Sequence, residues 1–367
     1  VKEEEETVKF KKASRLIYNM FMKAIRIVIL SSPAMMLSLY ASFILISWIG
    51  AQLIVAGSFT TGELTSMFAY VMTILMSLMM FMMIFVMLSI SMASVERINE
   101  VLGTESTIVS PENGLTEVAD GSITFDHVDF AYTDENGDKA HVLSDINLSI
   151  RSGEVIGILG GTGSGKSSLV QLIPRLYDVE SGSVKVAGQD VRNYDLDHLR
   201  KQVAMVLQTN VLFSGTIKEN MRWGNKNATD EEIIEACKIA QADEFIQNFK
   251  DGYDTMIERG GANVSCGQRQ RLCIARALLM NPKILILDDS TSAVDTKTDS
   301  LIRQGLATSL KDTTKIIIGQ RISSIQDADR IVVMNDGKID AIGSHQDLIE
   351  SNAIYREVYD MQTQGKG

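Results

Sequence analysis

The run Gly160-Gly161-Thr162-Gly163-Ser164-Gly165-Lys166-Ser167 carries the strongest chemical signal in this chain. Its spacing is G-x-x-x-x-G-K-[ST], the phosphate-binding P-loop. The glycines let successive backbone N–H groups turn toward one anion, Lys166 reaches the β- and γ-phosphates, and Ser167 offers a hydroxyl to Mg²⁺. Glu154 to Leu159 reads as a buried strand before the loop. Ser168 to Ile173 continues as a helix whose N-terminus faces the phosphates. Gly160, Thr162, Gly163, Ser164, Gly165, Lys166, Ser167 and Ser168 are therefore candidate nucleotide contacts.

Four downstream segments narrow the class. Lys283 to Asp289 is an apolar strand ending in two acids, and Asp288 at its end is placed to hold the Mg²⁺ shell. Gln208 closes the strand-like run Val203 to Leu207. Val264-Ser265-Cys266-Gly267-Gln268-Arg269-Gln270-Arg271 precedes a helical stretch, Leu272 to Leu279. Ser292-Ala293-Val294-Asp295 follows the acids.

This ordered set, over about residues 119–360, resembles the ATPase domain of ABC transporters. The Ser-x-Gly-Gln run matches the family's signature, which other P-loop classes lack. The resemblance implies ATP and Mg²⁺ as ligands. It gives Lys166, Ser167, Asp288 and Gln208 to phosphate and metal, and Tyr132 to stacking on adenine. Ser265, Gly267 and Gln268 would face the ATP of a second copy or second chain. Two such domains would close head to tail over two ATP molecules, and closure would drive alternating access in a membrane domain.

Three positions depart from the family pattern. Asp289 stands where a Glu usually polarises the attacking water, and one methylene less draws the carboxylate back by about 1.5 Å. Gln320, in Ile318-Gly319-Gln320-Arg321-Ile322-Ser323, stands where the family has a switch histidine; an amide hydrogen-bonds but carries no proton charge. Cys266 replaces a glycine of the signature. The first two changes together resemble the degenerate-site half of a heterodimeric ABC exporter, in which Asp289, Gln320 and Gln208 form a weakly catalytic set. A homodimeric exporter that hydrolyses slowly and a regulatory nucleotide-binding module are the alternatives.

The elements around these residues divide the chain. No charged residue occurs from Ile27 to Gly62 or from Leu64 to Val95, and each stretch exceeds the roughly 20 residues a membrane-spanning helix needs. They read as two antiparallel spans, about 27–56 and 64–90, joined by the turn Gly57 to Gly62. A buried hairpin of a soluble domain is the competing reading. Lys9, Lys11, Lys12, Arg15, Lys23 and Arg26 before the first span, and Arg97 after the second, put both ends in the cytoplasm of a cell membrane. In the family's exporters six spans precede the ATPase, and these two resemble the fifth and sixth, so the chain is expected to be a fragment.

The reading gives a partial membrane domain at 1–98, a linker at 99–118 (Glu96 to Asp120 at its widest) and an ATP-binding domain at 119–367. A helical subdomain is expected at about 212–280, with Thr229 opening a helix. Gly121 to Phe125 and Val128 to Tyr132 read as two antiparallel strands, and Ile316 to Ile318 and Ile331 to Met334 as buried ones. The fold class is transmembrane α-helices followed by an α/β P-loop ATPase domain with an antiparallel β subdomain and a helical subdomain.

The net charge of −11 argues against a nucleic-acid partner. Cys237, Cys266 and Cys273 lack the spacing of a metal site or disulfide framework. The expected partners are a second ABC half-transporter, the membrane, and an exported small molecule, lipid or peptide. The methionines between Met67 and Met92 suit either a polyspecific pocket or simple helix and lipid packing.

Overall fold

The structure, a computed structural model, describes residues 3–133, 137–290 and 293–364. It divides into two compact units, Val1–Glu105 and Ser106–Gly367. Ser292 lies outside the described residues.

The first unit is a helical hairpin, α1 (Glu3–Val55) and α2 (Thr61–Leu102). Its turn ends in a capping box: Glu63 donates its N–H to Thr60 Oγ1, and the Thr60 N–H is accepted by Glu63 Oε2 at 2.7 Å, which satisfies two donors that a helix start leaves free. The helices touch where Phe43 meets Phe68 with ring centroids 5.1 Å apart and where Gly50 leaves room for Leu64. α2 buries no residue, and Met79, Phe81, Met83 and Phe85 are all exposed. So large an unpartnered apolar surface is not what a hairpin in a soluble core presents. Pro33–Val55 and Thr61–Leu102 are each long and apolar enough to cross a membrane.

Both helices outrun the spans expected from the uncharged stretches. Charged and polar residues at either end are good helix formers in water and continue the same helix. The linker expectation needs the matching correction. Glu96 to Leu102 is the last part of α2, which stops at Gly103. The later part of the expected linker belongs to the second unit: Leu115 bridges to Tyr194 and Val118 is buried.

The second unit is built on a six-stranded sheet ordered β12-β11-β3-β10-β9-β6. These strands are β3 (Val155–Gly160), β6 (Val203–Val206), β9 (Ile284–Asp288), β10 (Thr314–Ile318), β11 (Arg330–Asn335) and β12 (Lys338–Gly343). All pair in parallel except β12, which closes one edge antiparallel. Covered on both faces, the central strands are unbroken apolar runs rather than alternating ones; every residue of β9 is buried.

A second, antiparallel sheet has the order β2-β1-β4-β5, from β1 (Ile123–Thr133), β2 (Lys139–Ile150), β4 (Ser181–Val186) and β5 (Gln189–Asp190). Here the sequence reading is corrected. Gly121 to Phe125 and Val128 to Tyr132 do not pair with each other; Ile123 to Phe125 and Val128 to Tyr132 are successive parts of β1, which pairs with β2 on one side and β4 on the other. The break between them is an irregularity at His127, where φ is +48°. A bulge bends a strand without reversing it.

Between Leu212 and Met280 the chain is mostly helical. This stretch holds α5 (Ile217–Arg222), α6 (Asp230–Ile239), α7 (Asp243–Gln247) and α8 (Cys266–Leu278), with a short β7–β8 ribbon (Gly215–Thr216, Met256–Ile257). Thr229 caps α6 with Glu232 in a reciprocal box. Ile217, Ile233, Ile246, Leu272 and Ile274 form its core. The remaining helices are α3 (Lys166–Gln171), α4 (Leu196–Gln202), α9 (Thr296–Ser309), α10 (His345–Ser351) and α11 (Ala353–Gln364).

Candidate nucleotide site

Register explains why distant segments meet. In the parallel sheet Ile158 lies beside Ile318, Ile318 beside Asp288, and Val206 beside Leu287. The chain leaving each strand therefore emerges at one edge: the P-loop after β3, Asp289 after β9, Gln320 after β10 and Gln208 after β6. The carboxyl ends of parallel strands are where doubly wound sheets hold ligands.

The P-loop runs from Gly160 into α3. Gly163 and Gly165 have φ of +84° and +92°, a region closed to most L-residues. Thr162 and Gly163 are exposed at the loop tip, while Ser164 and Ser168 are buried. Lys166 folds back over its own loop. Its ammonium donates to the carbonyls of Gly160 at 2.9 Å and Gly161 at 2.7 Å. Burial pushes the Lys166 pKa below the ordinary lysine value, against the pull of Asp288 and Asp289.

Beside it, the Ser167 hydroxyl lies close enough to the buried Asp288 to pull its pKa down. A hydroxyl and a carboxylate side by side are the oxygen donors Mg²⁺ takes, so this pair fits the ion. Gln208 does not join them: its amide donates to Asp289 Oδ2 at 3.2 Å. Burial raises the Asp288 pKa, with Ser167 and Lys166 opposing.

Asp289 is held in the left-handed region at φ +48°, which Asp tolerates better than most residues. Its N–H donates to the Ile318 carbonyl, tying it to the strand beside it. One carboxylate oxygen, Oδ2, accepts both the Gln208 amide and the Gln320 amide, the latter at 2.8 Å. Burial and the neighbouring Asp288 carboxylate raise the Asp289 pKa; Gln208, Lys166 and Arg321 oppose this. A carboxylate above its usual range is a better proton acceptor near neutral pH.

Tyr132, at the end of β1, leans on the helix that follows the P-loop. Its hydroxyl donates to Gln171 Oε1 at 3.2 Å and lies 3.1 Å from Ser168 Oγ. Its ring stands edge-on to Phe130 and Tyr177. Tyr177 and Gln171 were not singled out from the sequence.

The signature residues sit at the start of α8. Ser265 Oγ accepts the Gln268 N–H at 3.2 Å, and Gln268 Oε1 accepts the Ser265 N–H at 2.9 Å, a capping box. Gly267 is required by close approach: a Cβ there would lie 2.8 Å from the Ala293 carbonyl oxygen. Cys266 is exposed, whereas Cys237 and Cys273 are buried. Among the described residues no hydrogen bond or ion pair joins Ser265, Gly267 or Gln268 to the P-loop, Asp288 or Asp289.

A P-loop, a buried carboxylate beside it and a helical subdomain whose last helix opens on Ser-x-Gly-Gln define an ATP-binding domain of one class. Comparison with known proteins agrees. The family described as ABC transporter matches residues 143–292, and the ABC transporter transmembrane region matches residues 1–95. The chain belongs to the ABC transporters: a transmembrane helical region followed by an ABC ATPase domain.

A Staphylococcus aureus protein named "Putative multidrug export ATP-binding/permease protein" is 42% identical over 323 residues, which is 87% of this chain and 55% of that protein. An uncharacterized ABC transporter ATP-binding protein of Bacillus subtilis is 37% identical over 357 residues, 97% of this chain and 61% of the relative. The solved structure of a bacterial Atm1-family ABC exporter with ATP bound aligns with a TM-score of 0.85 at 29% identity, covering 98% of this chain and 63% of that one. The chain thus spans a little over half the length of the curated relatives it matches.

Proposed function

We propose that this chain is one half of an ABC exporter, and that its own ATP site binds nucleotide well but hydrolyses it slowly beside a non-identical partner chain. The observation that carries this reading is the Asp289 site. A short carboxylate stands where the family has Glu, and both neighbouring amides, Gln208 and Gln320, converge on its single oxygen Oδ2.

In this reading Lys166 exchanges its loop carbonyls for the β- and γ-phosphates, and the loop N–H groups hold the same anion. The face of Tyr132 takes adenine. Ser167 and Asp288 hold Mg²⁺, which when bound neutralises charge on the phosphates. Asp289 accepts a proton from the water that attacks the γ-phosphorus, and the bond to the ADP oxygen breaks. The retracted carboxylate places that water poorly, and misplacement of about 1 Å costs about a hundredfold in rate. Gln320 orients the carboxylate but cannot take or give the proton. Ser265, Gly267 and Gln268 complete a second, competent site on the other chain's P-loop. The basic residues ahead of the first span and Arg97 keep the ATPase in the cytoplasm.

A slow homodimer is the second reading, favoured by the raised Asp289 pKa. Phosphate release from the assembled transporter in proteoliposomes separates the two. Under the proposal Asp289→Asn lowers total turnover by less than about threefold, and changing the matching glutamate of the other chain lowers it by about a hundredfold. Abolition of turnover by Asp289→Asn alone favours the homodimer.

A further inference from the structure

The backbone between β10 and the short helical turn Ile322–Ser324 has left the sheet, so its polar groups need partners from elsewhere. They find them in one side chain. Gln362, near the end of α11, accepts the Ile322 N–H on Oε1 at 2.9 Å. Its Nε2 donates to the Gln320 carbonyl at 2.8 Å. A single amide thus grips both sides of Arg321. From the gripped residue, the Gln320 side chain reaches Asp289 Oδ2 at 2.8 Å.

The helix carrying Gln362 is itself well anchored. Tyr355 is fully buried with Leu159, Ile322, Ile325 and Ile331, and Val358 and Tyr359 pack on the same cluster. Ile322 is both a member of that cluster and the donor to Gln362. The apolar contact and the amide grip therefore fix the same segment from one helix. Beside it lies an open cleft of about 800 Å³, lined by Gln320, Arg321, Tyr359 and Gln362.

We infer that Gln362 is a positioning residue for hydrolysis, holding the Gln320 backbone so that the Gln320 amide stays on Asp289. It touches no reacting atom. Its action on turnover rests on the reading of Asp289 as the proton acceptor; the grip itself does not. The chain Gln362–Gln320–Asp289 also makes the last helix a lever on the site, because a shift of α11 moves the Gln320 carbonyl before it moves anything in the P-loop.

Two measurements on the assembled transporter test this, one independent of activity. In Gln362→Ala, hydrogen exchange at the Ile322 amide accelerates about tenfold, since it loses the Gln362 acceptor. The amides of Ile318 and Ile331, paired in the sheet, keep their protection. With the other chain's site silenced, Gln362→Ala lowers kcat by about three- to tenfold at unchanged KM for MgATP. Combined with Gln320→Ala it adds nothing further, because the two act through one contact. A merely structural role would give additive losses.

Gln362→Glu serves if Gln362→Ala melts early. It keeps the size and the acceptor for Ile322 but loses the donor to Gln320, so Ile322 stays protected while kcat falls. Unchanged Ile322 exchange in Gln362→Ala overturns the grip. Faster exchange with normal kcat, or additive losses, overturns its role in hydrolysis. If Asp289→Asn leaves turnover at this site untouched, the proposed function fails instead, and the exchange result still decides the grip.

Discussion

The two halves of the nucleotide site are built differently. The binding half is one continuous segment: a loop whose glycines adopt positive φ, a lysine over its own carbonyls, and a serine at the start of α3. The half we read as hydrolytic is assembled from the segments that leave β6, β9 and β10 and from α11 itself, and it is held together by amides. Gln208 and Gln320 meet on Asp289, and Gln362 holds Gln320. Backbone geometry makes the first half hard to alter and easy to keep. The second depends on individual side chains contributed by separate segments. A chain can therefore keep nucleotide binding while its hydrolytic chemistry drifts: of the three departures from the family pattern, Asp289 and Gln320 fall on the second half, Cys266 lies in the signature, and none falls on the P-loop.

The largest effect that would break this contrast is at Lys166. Lys166→Ala removes the one P-loop cation aimed at the phosphates, and MgATP affinity falls by about a hundredfold or more. The fold is expected to persist, because the Lys166 donors go only to loop carbonyls and Ser164. A titration with a fluorescent ATP analogue checks it. Equal binding by mutant and parent would show that the binding half is not where the P-loop places it.

Legibility in the sequence follows the same division. The P-loop and Asp288 can be read because their chemistry lies within a few consecutive residues flanked by apolar strands. Asp289 and Gln320 are noticed through family resemblance, as departures. Nothing in the sequence announces that both amides share one oxygen of Asp289, or that Asp289 itself is left-handed, since these follow from strand register. Gln362 is invisible for a further reason: it acts 42 residues from Gln320, and no local pattern marks it. In the antiparallel sheet, Asp126-His127 permits a turn or a bulge equally, and only pairing with β2 decides for the bulge. The helix ends were misjudged because an uncharged stretch measures what a bilayer would accept, not where hydrogen bonding stops.

Asp289→Glu sharpens the comparison with a smaller effect. If the hydrolysis half is weak because its carboxylate is retracted, one added methylene returns it toward the water. Turnover at this site, measured with the other chain's site silenced, then rises about tenfold, with nucleotide affinity unchanged. A modest loss of thermal stability accompanies it, since Glu tolerates φ near +48° less well than Asp. A flat or lower rate in single-turnover assays would mean that length is not the defect, and that Gln320 is the limiting substitution.

The smallest expected effect concerns stability and lies at Asp288, at the end of β9 beside Ser167 and Lys166 of the binding half. Asp288 is buried, and burial raises its pKa above the unfolded value. A raised carboxyl pKa means that the folded state disfavours the charge. The stabilising contribution is complete below the unfolded value near 4 and is lost as pH rises through the folded one. At neutral pH, without nucleotide or metal, Asp288 therefore weakens the domain. Asn has the same shape, carries no charge and still accepts the Ser167 hydroxyl. Asp288→Asn should raise the Tm of the nucleotide-free protein at pH 7 by about 2 °C. The gain should shrink as the pH is lowered toward the carboxyl range, and nucleotide with Mg²⁺ should stabilise the parent more than the variant. Thermal unfolding across pH in detergent reads all three. A lower Tm for the variant at pH 7 would mean that the Ser167 and Lys166 contacts outweigh desolvation, and that the binding half is relaxed without its ligand.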